Sequence, residues 1–310
     1  MKDRLVTLIG GGGFAGRYVA QALLKAGARV RIAQRDPRQA WFVKPLGGLG
    51  QTQFVAADVR RPDSLARAIA GSDAVVNLTG VFGSAMRAVN ADGAGNVARA
   101  AAAVGVEALV HISAIGADPQ SPSAYGRSKG EGEAQVRAAF ADATILRPSL
   151  MFGQEDRFVN RFAGIVARAP FVPVLKGGTR IQPVFVADAA AAVVRALADL
   201  RAFGGQTLEL GGPDVLTFTQ FNQWLVDTIG NDKPVVELPD FVGAGLARLG
   251  FLPGAPITWD QWLMLQQDNV ASGDGLATLG IAPTPLGAVA PAWLVRYRRN
   301  GRFAGSHKTA

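Results

Sequence analysis

The chain has no cysteine and only two histidines, His111 and His307, among its 310 residues. The first absence excludes disulfides, thiolate metal sites, iron–sulfur clusters and a cysteine nucleophile. The second excludes a histidine-rich metal centre, so no metal is expected. Both fit a reducing compartment. Unbroken apolar runs are also scarce. The opening "MKDRLVTLIGGGGFAG" has a charged head, but its apolar part is short and runs into glycines, so it reads as mature sequence rather than a signal peptide. The longest uncharged run, Gly275 to Val295, has the length to span a bilayer. It also carries Pro283, Pro285 and Pro291, which argues against a transmembrane helix. No aromatic-interleaved basic stripe and no DNA-reading motif is present, so nucleic acid is not an expected partner.

Positive charge, by contrast, is in excess. The formal net charge is +8, and Arg296, Arg298, Arg299, Arg302 and Lys308 crowd the C-terminus. A basic end suits anionic lipid or an acidic partner surface, and a solvated tail accounts for it equally well. The location expected is cytoplasmic, with peripheral attachment to the cytoplasmic face of the inner membrane as the variant that a basic end suits.

The length allows a substantial core and lies near the limit at which a second lobe forms. In the first half, β-like runs at Leu5–Ile9, Arg29–Ala33, Gln53–Ala56, Ala74–Leu78, Ala108–Ile112 and Thr144–Leu146 alternate with helix-like stretches. These are Ala15–Ala26, Pro62–Ala70, Ala88–Val104 and Lys129–Phe140. This alternation predicts an α/β fold with a doubly wound parallel sheet of Rossmann type. The dinucleotide-binding domain is expected over 1–150 plus 182–203, and a smaller α/β lobe over 151–181 plus 204–310.

Four consecutive glycines, Gly10 to Gly13, fall between the first strand and the first helix, where Gly10, Gly13 and Gly16 make a G-x-x-G-x-x-G spacing. Glycines there permit a tight turn, close approach of a pyrophosphate and close packing of helix on strand, with phosphate at the helix N-terminus. An acidic residue at the end of the second strand would bind the ribose 2′-hydroxyl of NAD. This chain reads "RIAQRDP", with Gln34 and Arg35 where the acid belongs and Asp36 just past it. Arg35, helped by Arg17 beside the turn, suits a 2′-phosphate, so NADP(H) is expected over NAD(H). An ordinary exposed helix residue remains an alternative for Arg17.

The stretch "HISAIGADPQSPSAYGRSKGEGEAQVRAAF" places Tyr125 and Lys129 four apart, on one face of a helix, a dozen residues after Ser113 closes a strand. In an oxidoreductase built this way the lysine ammonium lowers the phenol pKa and holds the nicotinamide ribose. The tyrosine transfers the proton and the serine orients the carbonyl. On its own, a Tyr-x-x-x-Lys pair is also a common surface feature of helices.

Together these residues resemble the extended or atypical branch of the short-chain dehydrogenase/reductase superfamily over the first two hundred residues. The resemblance implies that Asp58 and Val59 of "AADV" lie by the adenine, that Asn77, Leu78, Thr79 and Gly80 of "NLTG" pass along the cofactor, and that Pro148 approaches the nicotinamide. A narrower resemblance rests on "LRPSLMFGQEDRFVNRFA" (Leu146 to Ala163), "QPVFVADAA" (Gln182 to Ala190) and "DNVASGDGLATLGIAPTPLGAVAPAWLVRYR" (Asp268 to Arg298). These look like the accessory NADPH-binding subunit of respiratory complex I, the alpha subcomplex subunit nine family, and its bacterial relatives. The front "GGGGFAGRYV" is similar to that family's cofactor turn, Phe14 and the arginine after the third glycine included. What this implies is a tightly held NADPH in a peripheral protein at the quinone-end junction of complex I, partnered by its core subunits. Ser113, Tyr125 and Lys129 are all kept, which leaves open a soluble NADP-dependent reductase or a sugar-nucleotide epimerase or dehydratase.

In the second half, Glu155, Asp156 and Arg157 read either as a substrate rim or as a salt-bridged helix start. Asp188 reads as an N-cap. The apolar segment bearing Phe241, Val242, Leu246, Leu249, Phe251, Trp259 and Trp262 suits a partner or membrane surface, and packing within the second lobe accounts for it as well.

Overall fold

The computed structural model describes residues 1–252, 254–299 and 301. They form two compact units. The first comprises Met1–Pro148, Val186–Leu210 and Ser272–Ala282, and the second the remainder. Residues 204–210 and 272–282, which the sequence reading gives to the smaller lobe, thus belong to the first unit, and residues 149–150 and 182–185, which it gives to the dinucleotide-binding domain, belong to the second.

The first unit is a seven-stranded parallel sheet. Its strands are β1 (Leu5–Ile9), β2 (Arg29–Gln34), β3 (Thr52–Ala56), β4 (Ala74–Asn77), β5 (Ala108–Ile112), β6 (Thr144–Pro148) and a late strand, Thr207–Leu210. The order across the sheet is Thr207–Leu210, β6, β5, β4, β1, β2, β3. β1, β4 and the first four residues of β5 are buried throughout, as a sheet covered on both faces requires. On one face, α2 (Pro62–Ile69), α3 (Asp92–Val104) and α4 (Ala124–Ala139) cover it through a cluster that includes Leu65, Ile69, Val97, Val136, Val75 and Leu109. On the other, α1 (Phe14–Lys25) packs beside the helix Val186–Ala198. The strand order reverses at β1, which has β2 on one side and β4 on the other. Such a switch point opens a crevice at the carboxyl ends of the strands.

The helix expected over Ala88–Val104 begins with a π-helical turn, Arg87–Ala91, before α3. Asp188 is the third residue of its helix rather than the N-cap, so its charge meets the positive end of the helix dipole from inside the first turn.

The second unit has an aromatic core. Phe158, Phe162, Phe218 and Phe221 pack edge to face or stacked, with Phe158 and Phe221 5.1 Å apart. The helix Phe218–Ile229 opens with a capping box in which Thr217 and Gln220 satisfy each other's backbone amides. Asp156 is buried and accepts from the amides of Gly153 and Asn160, so it caps the helix Val159–Arg168; burial pushes its pKa up and these bonds oppose the rise. Asp156 therefore serves a helix start, through backbone amides rather than the expected salt bridge. Two sequence motifs of the second half meet through Gln182 and Asn269. The Gln182 amide donates to the Asn269 carbonyl at 3.0 Å, its side-chain oxygen accepts from Ala271, and its NH2 group donates to Gly212.

Arg296 donates to the carbonyl of Gln154 and to Asn160 Oδ1, and Arg298 to the carbonyl of Thr228. Both arginines are thus tied to the second unit, Arg298 half-buried and Arg296 still exposed to solvent. Arg302, Lys308 and His307 lie outside the described residues. Of the apolar segment, Trp262 is buried and Val242 and Leu246 half-buried, whereas Phe241, Leu249, Phe251 and Trp259 are exposed. Among the described residues no helix is long and apolar enough to cross a membrane, and no His, Cys, Asp or Glu cluster could hold a metal ion.

Candidate functional site

The glycine turn sits at the end of β1. Gly10 has φ +80°, a left-handed conformation that disfavours any side chain, and a Cβ there would press on Thr79 at 3.2 Å. Gly16 faces the Gly11 backbone so closely that a Cβ would collide with the Gly11 carbonyl, which is how α1 comes down onto the turn. At Gly13 the requirement is weaker, because a Cβ would meet only the Gly10 oxygen at 3.3 Å. Gly13 caps α1 with no side-chain bond, and the first turn, led by Phe14, carries no acidic residue. Its amides are thus available to an anion.

Gln34 does something that the sequence did not reveal. Its side-chain oxygen accepts from the Gly12 amide at 2.9 Å while its NH2 group donates to the Asp36 carbonyl at 2.7 Å. It braces the turn. Arg35 beside it is exposed, and Arg17 lies over the Phe42 ring at 4.2 Å. Asp58, at the end of β3, is clamped by Arg60 at 2.6 Å. That bond, with a smaller pull from Arg35, holds its carboxyl down at about 2. Val59 is buried against Gly93, and its carbonyl accepts from Asn96.

At the end of β4, Asn77 Oδ1 accepts from both the amide and the hydroxyl of Thr79, which leaves its NH2 group to donate to His111 Nδ1 at 3.1 Å. The His111 proton therefore sits on Nε2. Complete burial, with Lys129 nearby, keeps this ring neutral. The Leu78 amide donates to Ile9, tying this segment to the turn strand. Lys129 reaches back from α4 to donate to the carbonyls of Ile112 at 2.9 Å and Thr79 at 3.4 Å, and it lies 3.5 Å from where a Cβ of Gly80 would stand. Ser113 follows directly. Its hydroxyl is buried with no hydrogen-bond partner among the described residues. Pro148, at the end of β6, accepts from the Ile115 amide. The candidate residues at the ends of β1, β4 and β5 are thus joined through Thr79 and Lys129, while Asp58 and Val59 stand at the β3 end of the sheet.

One expectation is reversed. Tyr125 is not lowered by Lys129: burial pushes the phenol up to about 12, and burial brings Lys129 down to about 8 against the pull of Glu133. The desolvation of each group outweighs the attraction that a charged lysine offers.

Sequence reasoning also missed Asn90 and Phe82. Asn90, in the π-helical turn, binds both the amide and the carbonyl of Val81 at 2.9 Å and donates to Ser128 on α4. A buried polar residue in an otherwise apolar helix start was the available signal. Phe82 stacks on Tyr125 with ring centroids 4.3 Å apart and planes 15° from parallel. Nothing in its local sequence pointed there.

The model of the NAD dependent epimerase/dehydratase family matches residues 6–211, which contain all of these groups. The chain belongs to this family. Within it, the chain is 34% identical over 321 residues to the mitochondrial NADH dehydrogenase [ubiquinone] 1 alpha subcomplex subunit 9 of Arabidopsis thaliana, covering 97% of this chain and 80% of that protein. It is also 31% identical over 241 residues to the ceramide reductase of Caulobacter vibrioides, covering 76% of this chain and 74% of that protein. Among solved structures, the triphenylmethane reductase of Citrobacter sp. superposes with a TM-score of 0.77 over 93% of this chain and 99% of its own, at 20% identity, a likeness of fold.

Proposed function

We propose that this family member holds NADP(H) in its first unit and serves as an accessory or assembly component of respiratory complex I, NADH:ubiquinone oxidoreductase. The observation that carries the reading is the likeness to an alpha subcomplex subunit 9 across nearly the whole chain, second unit included. The geometry supports a dinucleotide. The Gly10–Gly16 turn would cradle a pyrophosphate, the orphaned Ser113 hydroxyl has room for a polar partner, and a ribose would replace the Thr79 and Ile112 carbonyls as the partner of Lys129. Gln34 in place of an acid, with Arg35 exposed next to it, favours a 2′-phosphate. When bound, the nicotinamide supplies hydride chemistry. The chain's own share would be to hold the adjoining ribose with Lys129, while Asn77 fixes Thr79 in place.

The exposed Phe241, Leu249, Phe251 and Trp259, beside Arg248, fit attachment to a partner or to the cytoplasmic face of the inner membrane. Purification of complex I from native membranes in mild detergent, followed by mass spectrometry, tests the assignment. Stoichiometric recovery of this chain is expected, and its absence from the complex overturns the reading.

A second reading, an NADP-dependent reductase, is favoured by the retention of Ser113, Tyr125 and Lys129 and by the likeness to a ceramide reductase. It requires exchangeable cofactor and a turnover that Tyr125→Phe abolishes.

A further inference from the structure

Phe82 is 59% exposed, yet one face of its ring lies flat on Tyr125. Few apolar side chains so exposed are held in a fixed stack, and the fastening is visible. Val81, the preceding residue, is pinned through both of its backbone groups by Asn90, which also binds Ser128 on the helix that carries Tyr125. Ser128 in turn donates to the Tyr125 carbonyl at 2.8 Å. On the other side stands Gly83, with φ +93° and open space around it. Phe82 is therefore a ring mounted between a residue pinned at both backbone groups and a glycine whose carbonyl alone accepts, from the Met86 amide at 3.2 Å, in register with the one tyrosine of α4.

We propose that Phe82 is the residue that sets access to Tyr125: its ring covers the phenol, and a reactant reaches that phenol only when the ring swings away about Gly83. The cover lies on one face of a half-buried side chain whose pKa burial raises to about 12. Lys129, one turn further along α4, donates to the backbone carbonyls of Ile112 and Thr79 and not to Phe82. This rests on the reading of Tyr125 as part of the nicotinamide end of the site, and it gives a reason why an intact Ser113, Tyr125 and Lys129 set accompanies a protein proposed to hold its cofactor without turnover.

The chain has three tyrosines, Tyr18, Tyr125 and Tyr297, so nitration by tetranitromethane followed by peptide mapping reads each separately. In the full-length protein without added nucleotide, Phe82→Ala is expected to raise nitration of Tyr125 at least fivefold while Tyr18 and Tyr297 keep their rates. Phe82→Trp, which restores a flat cover, is expected to keep Tyr125 protected. Equal Tyr125 nitration in wild type and Phe82→Ala, with an unchanged melting curve, overturns the proposal. NADPH binding, followed by its fluorescence in the wild type, is scored separately. Its failure would remove the cofactor reading and leave the nitration result standing.

Discussion

Lys129 is a buried cation that makes the first unit's stability depend on pH. Its ammonium titrates at about 8 in the folded chain against an ordinary 10.5, so the unfolded chain binds the proton more tightly. The contribution is fully favourable above about 10.5 and is lost as the pH falls through about 8. Wild type is therefore expected to gain about 3 kcal/mol of unfolding free energy relative to Lys129→Met between pH 7 and pH 11. Denaturant titrations of both proteins across that range measure the difference directly, and a flat difference would contradict the burial argument. Tyr125 titrates in an overlapping window but is common to both proteins, so it cancels. In the proposed NADP(H) reading, Arg35 meets the 2′-phosphate at the other end of the site. Arg35→Ala is expected to weaken NADPH binding by about 10- to 100-fold, the loss of a charge-assisted contact, and to leave NADH nearly unchanged. Fluorescence titration with the two nucleotides checks it.

At the scale of elements, the aromatic core of the second unit and the sheet of the first differ in how openly the sequence announced them. Phe221 is fully buried among Phe158, Phe162 and Phe218, and Phe221→Ala is expected to cost about 3–5 kcal/mol. Four of the five tryptophans, Trp224, Trp259, Trp262 and Trp293, belong to the second unit, so intrinsic fluorescence during denaturation reports that loss. The six early strands were legible because each is a short apolar run bounded by glycines or charges. The seventh was not: "TLEL" exposes its threonine and half-exposes the next two residues, as an edge strand does. The glycine turn between β1 and α1, and Tyr125 and Lys129 on one helix after the strand that ends at Ser113, were legible through residue type and spacing. Gln34 bracing Gly12, Asn90 fastening Val81 and Phe82 covering Tyr125 were not, since each depends on which way a side chain turns after distant segments have met. The inverted titration of Tyr125 and Lys129 was hidden for a related reason: spacing places them on one face of α4 but says nothing of how much water reaches either.

For the whole molecule, the net charge of +8 and the exposed aromatic set of the second unit bear on the same proposal, attachment to a partner or membrane surface. Phe241 and Phe251 are 77% and 79% exposed, so replacing both with serine, together with Trp259→Ser, leaves the core intact. That triple variant is expected to fall at least fivefold in retention on isolated membranes while binding NADPH as wild type does, which co-sedimentation and fluorescence titration measure together.

The first unit is stitched from three stretches of chain, and the last of them matters to it. Glu209, on the late strand, accepts from the amide and hydroxyl of Ser272, and Gly275 presses against the Glu209 backbone so closely that no side chain fits. A nascent chain leaving the ribosome has its glycine turn and five central strands early. It cannot close the β6 edge until residue 210 has emerged, nor complete the unit until residue 282 has. Until the strand Thr207–Leu210 has emerged, the unpaired edge of β6 is open to other chains. A chain cut between Pro148 and Thr207 would yield not a smaller nucleotide-binding protein but a sheet that seeks its missing strand elsewhere.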